Sequence, residues 1–219
     1  MHRNKALLAL LALMLGAGGL RAQGFSLGLR GGGGFPMGQF ASASATTTAG
    51  TANQALLSGA RSGFGYGLDA GLSLGLIGLY AGFDHVQFNC QDTQCGSEGK
   101  YSLGGVSGGL RISLMQSGMI RPWVKGGVTL ADLNGSYGSG SSNTLTTDRA
   151  PGYEIAGGID VPFLGLLAFS PQVRYVGQNA KFKVPGVTVN QTQQQQTLTY
   201  LKLELGLALA PMLKGMGAH

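Results

Sequence analysis

Beyond residue 22 the chain alternates apolar residues with small or polar ones, and this two-residue period recurs in eight segments. Successive side chains of a β-strand point to opposite faces, so each segment predicts a strand with one apolar face. The segments are 24–35, 63–74, 76–88, 100–114, 120–132, 152–161, 166–178 and 197–210. Eight such strands and no helical period predict an all-β fold.

The connections between these segments predict how the strands are arranged. Short turns are expected near Gly75, at 116–118 and at 162–165, and long loops at 36–62, 89–99, 133–151 and 179–196. No run of 18 apolar residues follows residue 22, so a membrane could be crossed only by a closed barrel. The alternation of short and long connections predicts an eight-stranded antiparallel up-and-down transmembrane β-barrel over residues 23–219, with its short turns in the periplasm.

The two faces of the strands differ in a way that favours a membrane barrel over a soluble one. The polar faces are mostly glycine, alanine and serine, which suit a narrow lumen, and the chain has 40 glycines. The apolar faces carry rows of leucine and are expected to contact lipid. Aromatic residues near the strand ends fit an interfacial girdle: Phe25, Phe35, Phe64, Tyr66, Tyr153 and Tyr175.

Residues 1–22 have the pattern of a cleaved signal peptide. Arg3 and Lys5 precede an apolar run from Ala6 to Leu20, and Ala22 is a small residue before a cleavage site. The expected location is therefore the outer membrane of a Gram-negative-type bacterium. Three of the 15 basic residues lie in this leader, which leaves 12 basic against 9 acidic residues, without a basic cluster. The charge pattern thus argues against a nucleic-acid partner.

Charged residues on the polar faces form the main candidate site. Six basic and five acidic residues are expected inside the barrel, and buried charges need partners. This set predicts a lumenal network of ion pairs, with a narrow ion path as the alternative. Its members are Arg30, Asp69, Asp84, Arg111, Arg121, Lys125, Glu154, Asp160, Arg174, Lys202 and Glu204.

Cys90 and Cys95 are the only cysteines of the chain. In an exported protein they are expected to form a disulfide within one loop, although a metal site or two free thiols remain alternatives. A metal site would need further ligands, and His85 is the only histidine nearby, so no metal site is predicted.

Other motifs favour ordinary structural roles. The run Gly31–Gly34 does not open a helix and is interpreted as a flexible barrel rim rather than a phosphate site. A Ser-His-acid site needs a serine beside the histidine, and the sequence neighbours of His85 are Asp84, Val86 and Gln87. The sequence therefore predicts no catalytic residue, no cofactor and no enzymatic activity.

Two local irregularities are also expected. Tyr101 and Leu103 are out of phase with the rest of their segment, which predicts a bulge near Gly104–Gly105 or an exposed strand end. Pro171 lies inside the seventh segment, where it removes a backbone donor and predicts a second bulge.

The sequence resembles the opacity-type and OmpX-like family of outer-membrane β-barrels over nearly the whole mature chain. The better local matches are GFGYGLDAGL at 63–72, RPWVKGGVTL at 121–130 and SPQVRYVG at 170–177. The resemblance implies a monomeric barrel without a wall-binding domain, surrounded by outer-membrane lipid. The expected function is a structural or surface-interaction role, through extracellular loops that contact a ligand or surface. The alternatives are a small porin-like channel and, third, a lipid-modifying enzyme.

Overall fold

The structure is a computed structural model that describes residues 23–41, 59–90, 99–115, 117–137, 143–163, 167–182 and 195–209. Its strands form one antiparallel sheet, and a 3-10 turn, Gly38–Phe40, follows the first strand. No helix in these ranges is long and apolar enough to cross a membrane. The strands are β1 Gln23–Met37, β2 Ala60–Leu74, β3 Ile77–Cys90, β4 Lys100–Ser113, β5 Arg121–Tyr137, β6 Asn143–Asp148, β7 Ala150–Phe163, β8 Leu167–Phe182 and β9 Gln195–Leu209.

The sheet closes on itself, because β1 pairs with β9 on one side and with β2 on the other. β6 and β7 act as one barrel strand, since both pair with β5 and both pair with β8. They are separated by Arg149, where the register against β5 shifts by one residue, as in a β-bulge. The predicted eight-stranded antiparallel barrel is therefore confirmed.

Several strands are longer than the sequence predicted at the end where the long loops lie. Much of the expected loop 133–151 is strand, because β5 continues to Tyr137 and β6 begins at Asn143. β8 continues to Phe182 and β9 begins at Gln195, so the loop expected at 179–196 is also shorter. Within the described residues the turn at Gly75 has a positive φ of 74°, which suits glycine. The predicted signal peptide, residues 1–22, lies outside the described residues.

Neither expected bulge is present. β4 keeps one continuous register with both β3 and β5 through Gly104 and Gly105, so the prediction there was wrong. At Pro171 the pairing of β7 with β8 is interrupted between Gly158↔Gln172 and Val161↔Phe169, but the register does not shift. The proline removes a donor without adding a residue, so a gap in the ladder replaces the bulge.

The outer face carries a broad belt of exposed apolar side chains. In β9, Leu203, Leu205 and Leu207 are 47%, 59% and 50% exposed, and leucine, isoleucine, valine and phenylalanine occupy equivalent positions on the other strands. So much apolar surface is incompatible with water as the solvent and suits the hydrocarbon core of a bilayer. The run Gly31–Gly34 is not a flexible rim, because it lies within β1 and pairs with both neighbouring strands.

Candidate functional site in the lumen

Inward-facing side chains from seven strands meet at mid-height in the barrel. Because alternate residues of each strand face the lumen, one or two long charged side chains from each of these strands reach the centre. We call this group the ionic layer, and within the described residues it contains four basic and four acidic side chains. They are Arg30, Asp69, Asp84, Lys125, Glu154, Arg174, Lys202 and Glu204.

Arg174 lies at the centre of the ionic layer and is fully buried. Its Nη1 is 3.0 Å from Glu154 Oε2, and its Nε is 3.4 Å from Glu204 Oε2. Its two terminal nitrogens are also each 3.9 Å from a carboxylate, one of Asp69 and one of Asp84. One guanidinium therefore holds carboxylates from four different strands.

Lys202 and Arg30 complete this arrangement on the side of the barrel where β1 meets β9. Lys202 Nζ lies 2.7 Å from Asp84 Oδ1 and 2.8 Å from Glu204 Oε1. The Arg30 guanidinium contacts Asp69, lies 3.0 Å from Asp84 Oδ1 and 3.4 Å from Glu204 Oε1. Charges of both signs are thus in mutual contact, which offsets the cost of removing them from water.

Neutral donors and a glycine support the ionic layer. The Tyr80 hydroxyl donates to Glu154 Oε1 at 2.7 Å, and Gln172 Nε2 donates to Glu204 Oε2 at 2.9 Å. A Cβ added at Gly67 would stand 2.7 Å from the Arg30 guanidinium carbon, so the absence of a side chain at this position makes room for Arg30. The many small residues of the inner face therefore allow long side chains to cross the lumen.

A smaller polar cluster lies nearer the short-turn end. Arg111 forms an ion pair with Asp160, which also accepts hydrogen bonds from Trp123 Nε1 at 2.9 Å and Ser170 Oγ at 2.7 Å. Arg121, the remaining predicted residue, donates from Nε to the Gly118 carbonyl oxygen at 3.4 Å. A cavity of about 240 Å³ surrounds this cluster below the ionic layer.

The long-loop end of the lumen is filled by apolar side chains, which the sequence analysis did not predict. Phe40, from the turn after β1, packs edge-on against Phe88 with ring centroids 5.2 Å apart, and Phe88 packs against Tyr200 at 5.3 Å. We call this group the apolar layer. Its described members are Phe40, Ala60, Val86, Phe88, Cys90, Tyr101, Leu103, Leu133, Val176, Ala180, Leu198 and Tyr200.

This layer explains the phase of Tyr101 and Leu103. Both residues face inward, in phase with Ser107 on the same strand, and both are buried. What changes along β4 is therefore which face is apolar, not the register of the strand. The inward positions Val86, Phe88 and Leu198 repeat the same signal on other strands, so the apolar layer could have been recognised from them.

The fold is shared with solved structures of outer-membrane proteins. The structure of Neisserial surface protein A is similar over 86% of this chain and 99% of that chain, with 12% identity and a TM-score of 0.58. AlkL matches over 91% and 96%, with 12% identity and a TM-score of 0.54. The chain has the fold of an outer-membrane β-barrel. A major outer membrane protein of Thermus thermophilus matches over 87% and 100%, with 14% identity and a TM-score of 0.51.

No protein-family description matches the sequence, and no curated protein is significantly similar to it. The assignment of the protein to a membrane therefore rests on its fold and on the exposed apolar belt. Together, these two features place the protein in the outer membrane, as the sequence predicted. The likeness in fold does not extend to an activity or a ligand.

Cys90 ends β3 at the rim of the apolar layer and is buried, with its Sγ 3.7 Å from the Tyr101 hydroxyl. Cys95 lies outside the described residues, so the disulfide stays a prediction. In the described part of the chain no group of three or more histidine, cysteine, aspartate or glutamate side chains is arranged to hold a metal ion.

His85 faces outward, away from the lumenal charges, and packs against the Tyr66 ring at a centroid distance of 5.2 Å, with the two rings tilted by 36°. Its Nε2 lies 3.4 Å from Ser102 Oγ. Of the residues adjacent to His85 in sequence none is a serine, but the fold brings Ser102 beside it from the neighbouring strand β4. Only the register between β3 and β4 reveals the contact between Ser102 and His85.

Proposed function

We propose that the protein is a closed barrel and that its extracellular loops carry its function, by contacting a ligand or a surface outside the membrane. The observation that carries this proposal is the filling of the lumen by two successive layers. Above the belt, the strands continue with outward polar residues such as Gln87, Asn89 and Asn134, all exposed. These extensions form a rigid base for the loops, and loops on a rigid scaffold are common sites of recognition.

Conductance tests the closed lumen. Planar bilayers containing the purified protein should show no reproducible conductance steps, and neither Glu204→Gln nor Phe40→Ala should produce them, because the other layer still blocks the path. The double variant Arg174→Ala/Phe40→Ala removes bulk from both layers and should conduct if it inserts. Stable steps in the wild type, with an ion selectivity changed by Lys202→Gln, would contradict the proposal.

A small channel is the second candidate, and the cavity at the short-turn end favours it. That cavity reaches the ionic layer from below, and its charged lining is four basic residues and two acidic ones: Arg30, Arg111, Arg121, Lys125, Asp69 and Asp160. For the cavity to become a continuous channel, the ion pairs of the ionic layer would have to rearrange and open a path toward the long-loop end. Anion-selective openings that disappear in Arg111→Gln would support this channel over the closed barrel.

Three further properties complete the proposal. The leader is cleaved near residue 22, so the mature protein should begin at about residue 23 in N-terminal sequencing. Cys90 and Cys95 form a disulfide, and the barrel is a monomer surrounded by lipid. Intact mass after thiol labelling tests the disulfide, and light scattering in detergent tests the oligomeric state.

A further inference from the structure

Three rows of side chains cross the outer face of β3, β4 and β5 at the upper edge of the apolar belt. The lowest row is apolar and joins Phe83, Val106 and Leu130 through the strand register. The next row on the same face joins His85, Gly104 and Asp132, and the row above it joins Gln87, Ser102 and Asn134. Rows on one face are about 7 Å apart, so the chemistry changes from apolar to polar within one step.

We propose that Ser102 and His85 form an ester-hydrolysing site on the outer face of the barrel, with fatty-acyl esters of outer-leaflet lipids as substrates. The proposal goes beyond the closed barrel and does not rest on it. Ser102 Oγ lies 3.4 Å from His85 Nε2, slightly longer than a good hydrogen bond. Catalytic hydrogen bonds are often long before the substrate binds. Both side chains are partly exposed at the surface.

The carboxylate that we assign to position the histidine is that of Asp132. It follows His85 and Gly104 in the same row, and Gly104 puts no side chain between them. His85 Nδ1 lies 3.6 Å from the point where a Cβ on Gly104 would stand, so the ring leans across β4 toward β5. Asn134 Nδ2 donates to Asp132 Oδ2 at 3.3 Å, and Arg149 Nε lies 3.5 Å from Asp132 Oδ1. These contacts orient the carboxylate on the outer surface.

The position of Ser102 and His85 along the barrel axis indicates the substrate class. The ester linkages of a lipid lie where hydrocarbon meets the headgroups, and this site lies at the same transition on the protein. The acyl chain would run down over Phe83, Val106 and Leu130, which are 45%, 46% and 47% exposed. The Tyr66 ring packs against the imidazole of His85 from the side of β2.

The reaction balances with water as the only co-reactant. Ser102 Oγ attacks the ester carbonyl carbon while His85 Nε2 accepts the hydroxyl proton, and the side-chain amide of Gln87, the neighbour of Ser102 in its row, can donate to the developing oxyanion. The bond to the alcohol oxygen breaks, and His85 returns the proton to that oxygen. Water then attacks the acyl-serine with His85 as base, which releases the fatty acid and restores the serine hydroxyl.

The first test uses full-length protein folded in detergent and checked by heat-modified gel mobility. A fluorophosphonate probe should add one label per barrel, and p-nitrophenyl palmitate should be hydrolysed. Ser102→Ala should abolish the label and lower kcat by about 100-fold or more, and His85→Asn should do nearly the same. Ser62→Ala, an exposed serine on the neighbouring β2, is the matched control and should leave both unchanged.

The second test identifies the lipid. Vesicles of phosphatidylethanolamine and vesicles containing lipopolysaccharide are incubated separately with the protein, and released fatty acid is measured. Release from either one, lost in Ser102→Ala, supports the site and names the source. No release from both vesicles, or labelling that persists in Ser102→Ala, would mean that the Ser102–His85 contact only joins two strands.

Asp132 needs a readout that a structural role would not change. Asp132→Asn should lower kcat with KM unchanged, and Asp132→Glu should restore part of the loss, because the longer carboxylate can still reach the imidazole. If both variants retain wild-type kcat, Asp132 is not the positioning residue. If kcat falls only in proportion to the folded fraction measured by heat-modified gel mobility, Asp132 serves the fold instead.

Discussion

The ionic layer and the apolar layer fill the same lumen with opposite chemistry. Around the ionic layer the outer face is apolar, as at Leu205, whereas around the apolar layer it is polar, as at Gln87 and Asn89. Where lipid surrounds the barrel, the strands have apolar side chains outside and charged side chains inside. Where the strands rise into water, the same strands form an ordinary core with apolar side chains inside. The position of the membrane surface thus determines which face of each strand is apolar.

The two layers should also differ in how they tolerate change. Ion pairs depend on fixed geometry and on the presence of every partner, because a buried charge without its partner is costly. Apolar packing depends mainly on volume, and swaps that conserve volume are tolerated best. Substitutions of comparable size in the two layers can measure this difference.

The largest effect is expected for Arg174→Met. This change keeps most of the side-chain volume but leaves Glu154 and Glu204 without their shared guanidinium, so it should lower the free energy of unfolding by about 3–5 kcal/mol. Urea unfolding in lipid vesicles, followed by tryptophan fluorescence and gel mobility, would measure it. A loss below about 1 kcal/mol would mean that water already solvates these carboxylates.

A smaller loss is expected for Leu198→Ala in the apolar layer. Leu198 is fully buried, and truncation leaves a cavity that should cost about 2–3 kcal/mol. The paired variant Leu198→Met conserves volume and should cost less than about 1.5 kcal/mol, by the same unfolding assay. If Leu198→Met is as damaging as Arg174→Met, the two layers do not differ in tolerance.

The smallest effect is expected for the predicted disulfide at the rim of the apolar layer. A bridge from Cys90 to Cys95 closes a very short loop, so its removal in Cys90→Ala/Cys95→Ala should cost about 2 kcal/mol or less. The unfolding midpoint of the wild type with and without reductant provides the matched comparison. A reductant effect equal to that of Arg174→Met would show that the bridge holds more than its own loop.

The strand pattern predicted the barrel because lipid outside and a crowded lumen inside both enforce alternation over the membrane-spanning part. The position of Arg30 and Glu204 on the inner face follows from the same period, and the up-and-down order of the strands follows from the alternation of short and long connections. The apolar layer does not follow from this pattern, because the apolar face changes from the outside to the inside of the strand above the lipid. Val86, Phe88 and Leu103 carry the opposite phase, which becomes meaningful only once the strands are known to extend beyond the lipid.

Contacts between strands were the second limit. The pairing of Ser102 with His85 depends on the register of β3 with β4, and a single strand's sequence does not specify its register. The bulge expected at Gly104–Gly105 illustrates the same limit. A bulge and a switch of the apolar residues from one face of β4 to the other produce the same sequence pattern. Ion pairs within the lumen likewise depend on side-chain reach across the barrel, as for Lys202 with Asp84.

The contact of Phe88 with Tyr200 also bears on the order of folding. Phe88 comes from β3 and Tyr200 from the last strand, and Arg30 of β1 likewise meets Glu204 of β9. Neither layer can assemble on the N-terminal half of the chain, because each requires residues from both ends of the sequence. Such distant contacts favour slow folding. The lumen is therefore expected to fill only in the final step, when β9 closes the ring, so that a barrel left open at this seam lacks both of its internal layers.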